Sequence, residues 1–264
     1  MLIDTHCHLD ASEFDADRDI EAQAALDAGV GAIVIPAVHR VNFQTVIDLS
    51  LQYTYCAYAL GIHPMYVDKS DEADLTLLET LLEQQMQTDK PPVAVGEIGL
   101  DYFAERSGVE YDRARQEHFF VAQLKLAKQF DLPVILHVRR SVDEILKQLR
   151  RIKVKGGIAH AFNGSRQQAD ILIDLGFKLG FGGAMTYSRS LHIRELAATL
   201  PLEAIVLETD APDIPPEWIK NRGRNSPKEL AYIAKILSEI RGVNVRQVTE
   251  ITTKNAREIL PNLQ

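Results

Sequence analysis

Short apolar runs and longer amphipathic segments alternate along the whole chain, and this alternation restricts the available folds more than any other feature. The runs are Leu2 to His6, Ala32 to Ala37, Tyr55 to Gly61, Val93 to Ile98, Pro133 to Val138, Gly157 to Phe162, Phe177 to Gly182 and Ala204 to Glu208. They are rich in Val, Ile, Leu and Gly and apolar on both faces, as buried parallel strands are. The intervening segments read as helices over 17–28, 39–52, 71–87, 110–130, 141–152, 165–175 and 188–199, with two more over 227–241 and 244–260. A hydroxyl followed three residues later by Glu or Gln marks three starts: Ser141 with Glu144, Ser165 with Gln168, and Ser226 with Glu229 after Pro227. Gly29 and Gly176 suit the left-handed position that closes a helix. Eight such units in 264 residues predict an α/β fold, a (β/α)8 TIM barrel. An open doubly wound sheet is the alternative, but its nucleotide-binding form lacks its signature, because no GxGxxG follows the first strand. With no linker rich in Pro, Ser or Gly, residues 1–264 are expected to form a single domain.

In a barrel, the C-terminal ends of the strands share one mouth, where active sites are built. The first run ends in His6-Cys7-His8, and side chains alternate along an extended chain, so His6 and His8 face the same way and can reach one ion. His63 follows the third run, Glu97 and Asp101 the fourth, His137 the fifth, His160 the sixth, and Glu208 and Asp210 the eighth. Five of the eight histidines fall in this ring. The other three, His39, His118 and His192, lie in helices or at their starts and are expected at the surface. Imidazole and carboxylate together suit Zn, Mn, Fe or Ni, and also a looser Mg site. Four of these histidines converging with two carboxylates exceed what one tetrahedral ion takes, which implies two divalent metals about 3.5–4 Å apart.

A net charge of −8 and a pI near 5.5 exclude broad nonspecific attraction to nucleic acid, so such a substrate would need local basic residues or metal ions. Two cysteines are too few for a disulfide framework, and neither a basic-then-apolar leader nor an 18-residue apolar run is present. The expectation is a soluble cytoplasmic protein with no membrane contact and no obligate protein partner.

The segments IDTHCHLD, GIHP, VGEIGLD, ILHVR, AHAFNGS, and LETDAP followed by RGRNSP stand in an order and spacing that resemble the TatD family of metal-dependent hydrolases and nucleases, within the amidohydrolase superfamily. The likeness runs from Ile3 to TTKNAREIL at 252–260 and is nearest to a bacterial TatD-like subgroup. It implies a metallo-dependent hydrolase barrel, with His6, His8, Glu97, His137, His160 and Asp210 as metal ligands and Glu97 shared between two ions. Related barrels often bridge their metals with a carboxylated lysine; Glu97 would do so without modification. The chain departs from the family at Met65, where another histidine or polar residue is common, and at Asn225-Ser226-Pro227, where the usual triplet is NEP.

Two metals would lower the pKa of a water held between them and stabilise charge on the attacked group. Asp210 is then the expected proton acceptor, and Glu208, two residues earlier, is expected to orient a ligand histidine. For substrate, the basic residues near the mouth are Arg139, Arg140, Arg166, Lys220, Arg222 and Arg224, of which Arg139, Arg222 and Arg224 are expected to hold phosphate. His63 is expected to donate to a phosphate or leaving group. Tyr66, Tyr102, Phe103, Tyr187 and Trp218 fall in mouth loops and offer faces for a base. The expected activity is a phosphodiesterase, most simply a deoxyribonuclease acting on DNA. A small-molecule amidohydrolase or deaminase is the alternative, and a binding protein that has lost catalysis is disfavoured because every ligand position is filled.

Overall fold

The computed structural model describes residues 1–103 and 112–263, with the side chain of Arg222 outside the described set. Its strands are β1 (Leu2–Asp4), β2 (Val30–Pro36), β3 (Cys56–Leu60), β4 (Ala94–Asp101), β5 (Val134–Arg139), β6 (Gly157–Ala159), β7 (Phe177–Phe181) and β8 (Ile205–Leu207). All pair in parallel in the order β1-β2-β3-β4-β5-β6-β7-β8. Across the seam between β8 and β1, the Thr5 N–H donates to Leu207 O (3.1 Å) and the Asp210 N–H to His6 O (2.8 Å), so the sheet curls into a nearly closed barrel. The helices are α1 (Arg18–Asp27), α2 (Phe43–Gln52), α3 (Glu72–Gln85), α4 (Arg113–Gln129), α5 (Val142–Arg151), α6 (Arg166–Asp174), α7 (Leu191–Thr199), α8 (Leu230–Arg241) and α9 (Val245–Ile259).

Alternation along each strand divides the apolar side chains between two layers. Ile33, Ile35, Tyr58, Leu60, Leu136 and Leu179 pack outward against the helices. Ile3, Val34, Ala59, Ile135, Ile158 and Val206 pack inward, together with Ala256, Ile259, Leu260 and Leu263 from α9 and the chain's end. The last helix therefore plugs one end of the barrel. Asn255 fixes it there by donating to the carbonyls of Leu202 (2.8 Å) and Ile205 (2.7 Å), both just before or within β8. The opposite end, where the strands finish, opens into a cavity.

Several boundaries differ from expectation for local reasons. β1 stops at Asp4 rather than His6, because past that point the backbone donates to Leu207 and Val34 instead of continuing a regular ladder. β4 runs on to Asp101, where it stays paired with Arg139 of β5. Ser165 caps α6 as expected, accepting from the Gln168 N–H (3.2 Å). Ser141 does not cap α5; its hydroxyl donates to Leu100 O (2.6 Å) and ties α5 to β4 instead. Pro227–Glu229 forms a 3-10 turn, and α8 begins at Leu230. The expected start of α4 at 110–111 lies outside the described residues. Gly29 and Gly176 hold positive φ (90° and 86°), the left-handed geometry anticipated for helix exits. Among the described residues no helix is long and apolar enough to cross a membrane.

Candidate metal centre and its cavity

Several polar residues at the mouth are carried by backbone that is hydrogen-bonded to another strand end. The N–H of Cys7, between the two histidines, donates to Val34 O (3.0 Å), Glu97 N–H to Ala37 O (2.9 Å), His63 N–H to Val38 O (2.9 Å) and His160 N–H to Leu136 O (3.1 Å). Strand register, rather than side-chain attraction, thus sets the floor of the site. Asp210 sits in left-handed backbone (φ 55°), held by its bond to His6 O and by the loop beneath it. That loop is tied by Asn225, whose amide donates to Thr209 O (2.8 Å), Asp213 O (2.9 Å) and Ile214 O (3.2 Å). Deeper still, buried Asp4 accepts from the Thr209 hydroxyl (2.6 Å), the Thr209 N–H (3.0 Å) and the His6 N–H (3.3 Å), stitching β1 to β8 under the ligand positions.

The carboxylate of Glu97 divides the cluster. Its Oε2 lies 3.2 Å from His6 Nε2 and 3.5 Å from His8 Nε2, and Asp210 Oδ1 is 3.5 and 3.7 Å from the same two nitrogens. Its Oε1 faces the other way, 2.9 Å from His137 Nδ1, 3.0 Å from His160 Nε2 and 3.3 Å from His63 Nε2. All six residues expected as ligands therefore meet at one place, and three groups of His, Glu and Asp have donor atoms close enough to share an ion: His6-His8-Glu97, His6-His160-Asp210 and His63-Glu97-His137.

The electrostatics match a site built for cations. Burial opposes ionisation of Glu97, but the histidines around it, His63, His160 and His6, hold its carboxyl well below the usual range. His8 is raised to about 9 and His160 is also raised, each against burial, by Glu97 and neighbouring carboxylates. His6, wholly buried and beside His160, is pushed well down. Burial lifts Asp210 to about 6, with Glu97 and Glu208 adding to the rise and His160 and His8 offsetting part of it. The protons drawn onto His8 and His160 occupy positions that a divalent cation would take over, releasing them.

The donor set fits such cations. His6 Nε2 and His8 Nε2 face each other at 3.2 Å, and two imidazole nitrogens at that separation can share at most one proton. A cation satisfies both lone pairs and the carboxylate oxygens together, and mixed nitrogen and oxygen donors suit Zn, Mn, Ni or a looser Mg site. His63 is different. Its Nδ1 accepts from the Met65 N–H (3.1 Å), so the neutral ring carries its hydrogen on Nε2, which lies 3.3 Å from Glu97 Oε1. Burial, with His137 adding, lowers its pKa to about 4 and keeps it neutral. In that tautomer its Nε2 is a donor, although it lies within ligand range.

Two carboxylates orient histidines from behind. Asp101 Oδ2 lies 3.2 Å from His137 Nε2, turning Nδ1 toward Glu97, while Asp101 Oδ1 accepts from the Phe103 N–H (2.8 Å). Glu208 Oε1 accepts from the Ala161 N–H and lies 3.7 Å from His160 Nδ1. Glu208 lies against Gly180, where a Cβ would stand 2.1 Å from its Oε2, and it does not line the cavity. Glu208 thus stands behind His160, where it was expected, on the side away from the cavity.

Above the floor the cavity opens to about 1710 Å³. Arg139 and Arg140 line it, with guanidinium carbons 4.0 and 4.6 Å from the centre of the Phe103 ring. Arg224 does not. Its guanidinium makes a two-pronged bond to Asp17 (2.7 Å each) and reaches Glu21 (3.1 Å), joining the loop after β8 to α1, so the expected phosphate contact is replaced by a structural one. Arg166 pairs with Asp170 (2.9 Å), and exposed Lys220 lies off the cavity; the Arg222 side chain lies outside the described residues. Tyr66, Tyr102 and Phe103 line the cavity, whereas Tyr187 bonds Pro215 O (3.0 Å) and Trp218 bonds Glu229 (2.7 Å) away from it. His118 is exposed and His192 sits on the rim bonded to Gly164 O (2.9 Å). His39 overturns expectation: it is buried, stacked on Tyr66 with ring centres 5.6 Å apart, and lines the cavity. Its position just beyond β2, as His63 stands beyond β3, was the available signal.

Comparison with known proteins agrees with this geometry. Residues 3–261 match the family described as TatD related DNase. An uncharacterised metal-dependent hydrolase of Escherichia coli K12, YjjV, is 40% identical over 255 residues, covering 96% of this chain and 95% of its own. Its crystal structure, that of a TatD homologue, superposes with a TM-score of 0.91 at 38% identity, covering 98% of each chain. The human deoxyribonuclease TATDN3 is 31% identical over 267 residues, covering 100% of this chain and 96% of its own. The chain therefore belongs to the TatD family of metal-dependent hydrolases.

Proposed function

We propose that the protein is a phosphodiesterase that acts on DNA and holds two divalent cations, one on each side of Glu97. The observation that carries this reading is the division of that carboxylate, with Oε2 turned to His6, His8 and Asp210 and Oε1 to His137 and His160. His6, His8 and Asp210 would hold one cation and His137 and His160 the other. When bound, such a pair supplies an acidified water and positive charge for the anion that develops on the attacked group. Asp210, lifted toward neutrality by burial, accepts the proton of the attacking water. His63, neutral and with its hydrogen on Nε2, donates to a phosphate oxygen or the leaving group. Arg139 and Arg140, stacked beside Phe103 and open to the cavity, hold the phosphate of the neighbouring nucleotide. The name of the human relative, a deoxyribonuclease, supports DNA as substrate.

The test is to strip the protein with chelator, restore Mg, Mn, Zn or Ni singly, and assay single-stranded DNA, a generic phosphodiester and a panel of amides. Metal-restored cleavage of the DNA and the phosphodiester is expected. Turnover of amides with none of either phosphodiester would overturn the reading and indicate a small-molecule amidohydrolase.

A further inference from the structure

One wall of the cavity is polar, pre-arranged and incomplete. Asn42 holds it together: its Oδ1 accepts from the Val38 and His39 N–H groups (3.1 Å each), and its Nδ2 donates to Asp10 Oδ2 (2.8 Å). Two atoms are left over. Asp10 Oδ1 and His39 Nε2 are both buried and without a hydrogen-bond partner, although His39 is only 9% exposed and both residues line the cavity. An unpaired buried polar atom is costly, so a wall that keeps two of them on residues tied to the same Asn42 and lining one cavity is a wall that a ligand completes. Tyr66 connects this wall to the floor, its ring 5.6 Å from His39 and 6.3 Å from His63.

We infer that Asp10 and His39 read the amino-bearing edge of a nucleobase whose phosphate is held at the Glu97 cluster, an inference that rests on the phosphodiesterase reading above. A carboxylate oxygen accepts hydrogen bonds and repels phosphate, so this wall cannot serve the anionic part of a substrate; Arg139 and Arg140 serve it elsewhere on the rim. An exocyclic amino group fits Asp10 Oδ1, and the imidazole, a donor or acceptor according to tautomer, fits the ring nitrogen or carbonyl beside it. Adenine, cytosine and guanine each present such an amino group. Thymine presents carbonyl oxygens on either side of its one N–H, and these meet the carboxylate unfavourably.

The test is calorimetric titration of dAMP, dCMP, dGMP and dTMP into Mn-loaded protein, for wild type, Asp10→Asn and His39→Phe, the last keeping the ring against Tyr66. In wild type the three amino-bearing nucleotides are expected to bind roughly tenfold tighter than dTMP, as one hydrogen bond to a charged acceptor allows. The ratio should fall to within about twofold in either variant that melts like wild type. Equal affinity for all four in wild type, no binding of any of them, or a ratio that survives both substitutions would overturn the inference. Failure of the phosphodiesterase reading shows separately, as wild type that binds nucleotides but does not cleave bis(p-nitrophenyl) phosphate.

Discussion

The floor of the cavity and its rim carry the same kinds of charged side chain, yet they are assembled by different means. On the floor, the groups around Glu97 arrive from five strand ends, and much of the backbone that carries them is itself hydrogen-bonded to other strand ends. On the rim, arginines of similar sequence promise take opposite roles. Arg139 and Arg140 lie against Phe103 on the cavity, with Arg139 only loosely paired to Asp101 (3.9 Å), while Arg224 is taken up by Asp17 and Glu21. Topology delivers the floor; the rim depends on which carboxylates lie within reach of each long side chain.

If that contrast is right, substitutions on the floor affect chemistry and those on the rim affect either affinity or stability, never both in the same way. Asp210→Asn should show the largest effect. The side chain keeps its shape and its backbone bond to His6, so the melting temperature should change little while kcat falls by roughly 10²–10⁴-fold, the range expected when a positioned base is lost. Near-normal turnover would remove Asp210 from the proton-accepting role.

His63 tests the floor through stability. Its folded-state pKa, about 4, lies below its unfolded value of 6.5, so between these values the unfolded chain binds more protons and stability falls as pH drops through the window. In metal-free protein this group should remove on the order of 2–3 kcal/mol between pH 6.5 and pH 4, a loss absent from His63→Gln. Denaturant titrations at the two pH values measure it, and parallel losses in both proteins would contradict the buried, neutral assignment.

The rim should give the smallest effects and the sharpest division. Arg139→Ala with Arg140→Ala should raise KM for single-stranded DNA about tenfold and flatten its dependence on salt, with kcat nearly kept. Arg224→Ala should instead leave the salt slope alone and lower the melting temperature modestly, because it breaks a two-pronged pair that joins the loop after β8 to the start of α1. A flattened salt slope in Arg224→Ala would return that residue to the substrate.

The same division explains what could be read from the sequence. The barrel and the convergence of His6, His8, Glu97, His137, His160 and Asp210 were legible, because a run that is apolar on both faces marks a buried parallel strand and its last residues are then placed by topology. His39 was missed because it opens a short helical turn and looks like a surface residue, although it follows β2 as closely as His63 follows β3. Arg224 was misassigned because nothing in the local pattern tells that α1 presents Asp17 and Glu21 to the loop after β8, some two hundred residues away. The tautomer of His63 was beyond reach for the same reason: it is set by one backbone N–H, from Met65, and only coordinates place it.

The central claim is that the two oxygens of Glu97 separate two cation positions. Anomalous diffraction from crystals grown with Mn, collected on wild type and Glu97→Gln, tests it most directly. Two peaks about 3.5–4 Å apart are predicted in wild type, one beside His6 and His8 and the other beside His137 and His160, with at least one lost in the variant. A single peak in wild type, or two that persist undiminished without the carboxylate, would contradict it.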